Sequence, residues 1–301
     1  MKSKTGNSNP ESSRLRGSLL RIANAEQATE RALPTSLEHS PTWDLEFSTG
    51  PTSVGDLELD GYQAWNSNHS SGQDAFAISG DRTRFAVADG MGGYGTDKIG
   101  TQFFAKFISD HVVQNGIDSV FDLGRLEEIC QRAEDEFSKV AGRPFQRPRM
   151  IGKMVGTVGS TLTFAEVLSP TQVRLVTIGD SPAFVVDGTQ THMAQYGEDA
   201  QLGTVDSPLA YKLGIDGSGR AISPQERATS TLDARMIVDQ VLDIPLDSTV
   251  IIGSDYFSET SPLEILRDPP RTGYEFQDRV VGRGKPDDAT LIAIRPSKLT
   301  L

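Results

Sequence analysis

Ala86-Val87-Ala88-Asp89-Gly90-Met91-Gly92-Gly93 is a short apolar run that reaches an aspartate and then turns on glycines. The form recurs along the chain. Val176-Thr177-Ile178-Gly179-Asp180-Ser181 and Val250-Ile251-Ile252-Gly253-Ser254-Asp255 are apolar runs closed by an acid, and Asp287 stands just before Ala289-Thr290-Leu291-Ile292-Ala293-Ile294. Asp74, in Gly72-Gln73-Asp74-Ala75-Phe76, is another carboxylate at a strand edge. A carboxylate at the rim of a buried sheet is costly unless something positive meets it. Several on one spot repel one another unless a cation sits between them. The pattern points to a metal held by oxygen ligands. A lone Asp before Gly is otherwise an ordinary turn former, which is how Asp187 and Asp216 read.

Around these motifs the texture is that of a mixed fold. Leu57 to Tyr62 alternates like a strand, and Phe76 to Ile78 runs into a polar turn. Phe103, Phe104, Phe107, Ile108 and Val112 fall on one face of a helix over 99–113. Leu126, Ile129, Cys130, Ala133 and Phe137 do the same over 123–140. Strands are expected over 160–167, 172–178, 183–186, 249–252 and 289–294, a helix over 232–242, and a long irregular excursion over 191–227. Strands, two helices, more strands and a mixed finish argue for an α+β fold with helices covering sheets.

Residues 1–50 are rich in Ser, Asn, Thr, Pro and Glu, and are expected to form a disordered tail. Within it, residues 13–33 space apolar side chains as a short helix would, giving either a marginal helix or a docking segment for a partner. The globular domain is expected over 55–297. The chain has 301 residues and a net charge of -12, with 29 Lys plus Arg against 41 Asp plus Glu. Residues 1–50 carry six basic and six acidic side chains, so the acid excess lies downstream. Such a surface disfavours nucleic acid and anionic lipid. No run approaches the ~18 apolar residues of a membrane span. With Cys130 as the single cysteine, no internal disulfide can form, and a cytoplasmic location is expected.

Aspartate, backbone carbonyl and water are hard ligands that suit Mg²⁺ or Mn²⁺. One Cys and four scattered His give no zinc spacing. Gly90 to Gly95 fits neither the Walker nor the dinucleotide fingerprint. No Ser-His-Asp or Cys-His arrangement is evident, and a pair of divalent ions acting on a phosphoryl group needs no side-chain nucleophile.

Gln73-Asp74-Ala75, Val87 to Gly93, Gly159-Ser160-Thr161-Leu162, Ile178 to Ser181, Gly253-Ser254-Asp255 and Asp287-Asp288-Ala289-Thr290 follow the order and rough spacing of one family. Over residues 55–297 the chain resembles the metal-dependent protein phosphatases, the protein phosphatase 2C family. The resemblance implies a four-layer α-β-β-α sandwich with two central, mostly antiparallel sheets and a metal cleft at one edge. It implies two Mn²⁺ or Mg²⁺ ions with a hydroxide bridging them. Asp89 would bridge the metals, the Gly90 carbonyl would coordinate one, and Asp255 and Asp287 would complete the other site. Asp74 would orient a metal-bound water, and Asp180 would serve a third, weaker metal position. Asp288 is expected outside the ligand set, tuning local charge. The implied substrates are phosphoserine and phosphothreonine proteins.

The chain also departs from that family. Bacterial members commonly place an Arg before the first acidic pair to clamp the substrate phosphate, whereas here His69 stands near that position. His69 reads either as a weaker clamp or as a surface His, with Arg82, Arg84 or the Arg143–Arg149 cluster as other sources of positive charge. Gln73 stands where Glu is common. Tyr256 follows Asp255 where Gly is usual, and either narrows the cleft or reshapes the turn. Besides the phosphatase, two alternatives follow: a pseudophosphatase that binds a phosphoprotein or partner without turnover, and a phosphatase dedicated to one regulatory partner, such as an anti-sigma-factor antagonist.

Overall fold

A computed structural model of the chain describes residues 43–54, 57–66, 73–91, 97–146, 156–169, 171–187, 190–193, 213–216, 219–222, 237–245, 248–259, 288–296 and five isolated positions between 265 and 279. The proposed docking segment 13–33, His69, the glycines after Met91, Arg147, Arg149 and Asp287 lie outside them.

The apolar runs pair as antiparallel strands into two large sheets. One sheet contains β3 (Asp74–Ile78), β4 (Arg84–Asp89), β6 (Leu162–Ser169), β7 (Gln172–Ile178) and β12 (Ile237–Asp243), in the order β12-β7-β6-β4-β3. The other orders β1 (Trp43–Val54), β2 (Leu57–Asn66), β14 (Ala289–Pro296), β13 (Thr249–Gly253), β8 (Ala183–Asp187) and β9 (Gln190–Met193) as β1-β2-β14-β13-β8-β9. A small third sheet joins β5 (Gly156–Ser160), β10 (Leu213–Asp216) and β11 (Ala221–Ile222).

The two large sheets pack face to face. Phe85, Val87, Ala165, Val173 and Leu175 from one meet Ala183, Val185, Val250, Ile252, Ile292 and Ile294 from the other in a single buried cluster. The period of two then decides what each strand shows outward. Ala75, Ala77, Ala86, Ala88, Phe164 and Val176 face away from that cluster and bury against α1 (Lys98–Asn115) and α2 (Leu123–Ala141). The small alanines let α1 lie close to β3 and β4. Phe103, Phe104, Phe107, Ile108 and Val112 of α1 are buried, as their spacing predicts, and so are Leu126, Ile129, Cys130, Ala133 and Phe137 of α2. Phe137 stacks on Phe145 at 4.5 Å and meets Phe103 at 5.4 Å, which ties the helices to each other and to the segment after α2. Each helix begins where an aspartate, Asp97 or Asp122, accepts the backbone N–H three residues on. Each ends at a positive-φ glycine, Gly116 or Gly142.

On the far side of the second sheet, Phe184, Val186, Ile251, Leu291 and Ala293 bury against Tyr256, Phe257, Ile265 and Phe276. Tyr256 and Phe257 belong to the short α3 (Tyr256–Glu259). What covers this face, among the described residues, is α3 with Ile265 and Phe276. Among the described residues, no helix is long and apolar enough to cross a membrane.

Three expectations need correction. The tail assigned to 1–50 cannot extend past residue 42, because β1 starts at Trp43 and pairs with β2 from Trp43↔Asn66 to Val54↔Leu57. Trp43, Leu45 and Phe47 alternate with Asp44, Glu46 and Ser48, a strand pattern hidden beside a polar stretch. The helix expected over 232–242 is instead the edge strand β12, paired with β7 from Ile237↔Ile178 to Asp243↔Gln172. Its apolar pairs Ile237-Val238 and Val241-Leu242 mimic helical spacing, while its Val and Ile favour the sheet. The excursion over 191–227 holds β10 and β11 as well as most of β9.

Candidate metal centre

The first acidic pair is set by strand register. Asp74 opens β3 and Asp89 closes β4, and the two residues stand directly opposite each other. Opposed residues in an antiparallel pair project from the same face. By alternation Asp74 shares the face of Phe76 and Ile78, which pack into the cluster between the sheets. Asp74 is therefore buried, at 4% exposure, at the end of the sandwich interior. Burial pushes its carboxyl well above the usual carboxylate range, and the charges of Asp288 and Asp255 push further in the same direction. The Ser254 and Thr290 hydroxyls beside it work against that rise. An anion so placed needs a cation to remain charged.

Asp89 and Gly90 are held by a ladder of hydroxyls and backbone groups. The Asp89 N–H donates to Thr161 Oγ1 at 3.2 Å, and its carbonyl accepts from Thr161 N and Ser160 Oγ, both at 2.9 Å. Thr161 Oγ1 lies 2.6 Å from Ser181 Oγ, and Thr163 Oγ1 donates to the Ser181 carbonyl at 2.7 Å. These bonds give the Gly159-Ser160-Thr161-Leu162 motif its part: it joins the Asp89 turn to the Asp180-Ser181 turn. Gly90 bridges to Ser160 and donates its N–H to the Gln73 carbonyl at 3.1 Å. Gly179 turns the chain at φ 97° just before Asp180, a conformation that side-chain-bearing residues rarely adopt.

The other sheet brings its acids to the same end. Gly253 N donates to the Pro182 carbonyl at 3.1 Å, so the close of β13 sits against the Asp180 turn. Ser254 is tied to Thr290 twice, N–H to carbonyl at 3.0 Å and Oγ accepting from the Thr290 N–H at 3.1 Å. Asp255 follows, half-buried. Asp288 is 3% exposed and accepts the Gln73 N–H on Oδ2 at 2.6 Å. Asp74, Asp89, Asp180 and Asp255 thus share one end of the sandwich. Asp288 is there too, and its buried bond to Gln73 was not foreseen from the sequence. Asp287 and His69 lie outside the described residues.

The candidate phosphate-binding groups fare differently. Arg82 (φ 57°) sits in the β3–β4 hairpin turn, at the other end of those strands from Asp74 and Asp89. Arg84, at the same far end, pairs with Glu166 at 2.7 Å. Arg143 makes a bidentate contact to the buried Asp97 at 2.6 and 3.1 Å and lies over the Phe137 ring. Tyr256 does not narrow a cleft: it is 1% exposed and packs edge-on against Phe257 in the core. A cavity of about 540 Å³ between α2 and the β10–β11 hairpin shares none of the strand-end aspartates.

Among the described residues no three His, Cys, Asp or Glu side chains already stand in metal-ligating geometry. The donor set is nonetheless all oxygen, and the charges of Asp288 and Asp255 both act on the buried Asp74, which suits a hard divalent cation.

No family model and no curated protein matches the sequence. Solved structures do match. The chain resembles the serine/threonine phosphatase of S. agalactiae at 13% identity, covering 80% of this chain and 100% of that one, with a TM-score of 0.52. It resembles the serine/threonine phosphatase Stp1 from Staphylococcus aureus at 14% identity, covering 85% and 98%, again with a TM-score of 0.52. The two antiparallel sheets, the helices on the outer face and the aspartates gathered at one end therefore belong to a chain with the fold of the protein phosphatase 2C-like serine/threonine phosphatases.

Proposed function

We propose that the chain is a metal-dependent phosphatase of phosphoserine and phosphothreonine proteins, with its domain running from β1 to about residue 297. The carrying observation is the convergence of Asp74 with the carboxylates of Asp255 and Asp288, opposite Asp89, at one end of two packed sheets. In this reading Asp89, the Gly90 carbonyl, Asp255 and Asp287 hold two Mn²⁺ or Mg²⁺ ions, and Asp180 serves a third position. Such ions, when bound, polarise a phosphoryl group and acidify water.

The chain's own residues do the rest. Asp74 accepts a hydrogen bond from the attacking water and aligns it with phosphorus. The Ser160–Thr161–Ser181 ladder keeps Asp89 and the Asp180 turn at fixed separation. Close packing behind Asp74 keeps bulk water from competing for the carboxylates. No side chain becomes covalently attached to the phosphoryl group. Phosphothreonine peptide incubated with the full chain and Mn²⁺ is expected to release phosphate, and EDTA to stop the release. Absence of turnover at saturating Mn²⁺ would exclude the enzyme.

One observation favours a second reading, a phosphoprotein-binding pseudophosphatase: Arg84 and Arg143 are committed to Glu166 and Asp97. That reading predicts peptide binding with Mn²⁺ bound but no phosphate release, so binding and turnover measured on one sample separate the two.

A further inference from the structure

We propose that Asp288 is a positioning residue of the metal centre: its carboxylate clamps the Gln73–Asp74 backbone and so fixes where the Asp74 side chain stands. This rests on the metal-centre reading above. Asp288 immediately precedes β14 in one sheet, and Gln73 immediately precedes β3 in the other. The 2.6 Å bond from Gln73 N–H to Asp288 Oδ2 spans 215 residues of sequence and crosses between the sheets. Both residues are buried, at 5% and 3% exposure, so water competes little for the bond.

The clamp continues beyond Gln73. The Gln73 carbonyl accepts the Gly90 N–H at 3.1 Å, so one peptide unit on each side of Gln73 ties Asp288 to the Asp89-Gly90 turn. Asp288, the 73–74 segment and the 89–90 turn are thereby joined by two hydrogen bonds. An ionised acceptor makes such a bond roughly twice as strong as a neutral one. The same carboxylate adds negative charge beside Asp74, which disfavours the empty site and favours a bound cation. Asp288 thus has two separable effects, an oxygen that holds the backbone and a charge that draws the ion.

The test uses the full chain with Asp288→Asn, which keeps an oxygen acceptor, and Asp288→Ala, which keeps neither acceptor nor charge. Mn²⁺ affinity is read by calorimetry and hydrogen exchange of the Gln73 amide by NMR. Asp288→Ala is expected to weaken Mn²⁺ binding by about 10–100-fold, the usual cost of removing a group that orients a ligand. Asp288→Asn is expected to lose less, and the Gln73 amide to exchange faster in the Ala variant than in the Asn variant. Equal losses in both variants would reduce Asp288 to a background charge and overturn the positioning role, as would wild-type affinity in both. Should Asp288→Ala fail to fold, Asp288→Asn decides alone: a Gln73 amide still protected with less than about a 10-fold loss of Mn²⁺ affinity supports the role, and a loss of about 10-fold or more with that amide still protected assigns the effect to charge and overturns it. A wild-type chain that binds no Mn²⁺ removes the metal centre and the inference together, whereas unchanged variants beside a binding wild type remove only the inference.

Discussion

A Cβ on Gly90 would stand 2.6 Å from the Gln73 carbonyl oxygen and 2.9 Å from Thr101 Cγ2. One of those neighbours is backbone of the segment that carries Asp74, so it cannot give way without moving the acid. Gly90→Ala is therefore expected to cost about 1–3 kcal/mol, the usual range for overpacking a tight site. Urea unfolding measures that cost, and the altered turn is expected to weaken Mn²⁺ binding as well. Unchanged stability would mean that the turn is looser than its contacts indicate. Single residues also mark how far the sequence could be read. Asp89 was legible because it ends a recognisable apolar run, and Asp74 because it stands at the start of one. The bond from Asp288 to Gln73 was not, because nothing local to either residue signals a partner 215 positions away.

Among the elements, α1 depends on one buried acid. Asp97 is 2% exposed, accepts the Gly100 N–H at 3.1 Å, accepts from the two terminal nitrogens of the Arg143 guanidinium, and accepts the Gln146 N–H at 2.7 Å. Its removal takes the cap from α1 and leaves Arg143 without its carboxylate. Asp97→Ala is expected to destabilise the chain by about 2–3 kcal/mol, because it removes a helix cap and the charged hydrogen bonds to a half-buried Arg143 together. Denaturant unfolding checks this, and a loss under about 1 kcal/mol would show an ordinary exposed cap. The faces of α1 and α2 were legible because a single buried stripe fixes a 3.6-residue period. β12 was not: it is an edge strand with Val241 exposed, and an edge strand does not need strict alternation. Its place is set by cross-strand pairing with β7, and by Arg174 reaching both Asp239 and Asp118, contacts that only the folded chain brings together.

For the whole molecule, His111 gives stability a pH dependence of known sign. Burial first, and the Arg132 charge second, lower its pKa from 6.5 to about 4. Above pH 6.5 the imidazole is neutral in both folded and unfolded chains and nothing is lost. As pH falls from 6.5 towards 4, the unfolded chain takes up a proton that the folded chain refuses, so stability declines and then levels off. Replacing His111 with Gln is expected to flatten that part of the stability profile; an unchanged slope would assign the decline to other groups. The sandwich itself follows from runs that alternate or stay wholly apolar, and the order of those runs already resembled the phosphatases. Placing the acids at one end required the register of β3 with β4 and the packing of two sheets, which no single motif encodes. The central claim is that this end of the molecule performs metal-dependent phosphate hydrolysis. Its most direct test is phosphate release from an aryl phosphate with Mn²⁺, comparing wild type with Asp89→Asn. The predicted result is turnover by the wild type and a loss of about 100-fold or more in a folded variant, the scale seen when a charge-stabilising group is removed; equal rates in the two proteins would contradict it.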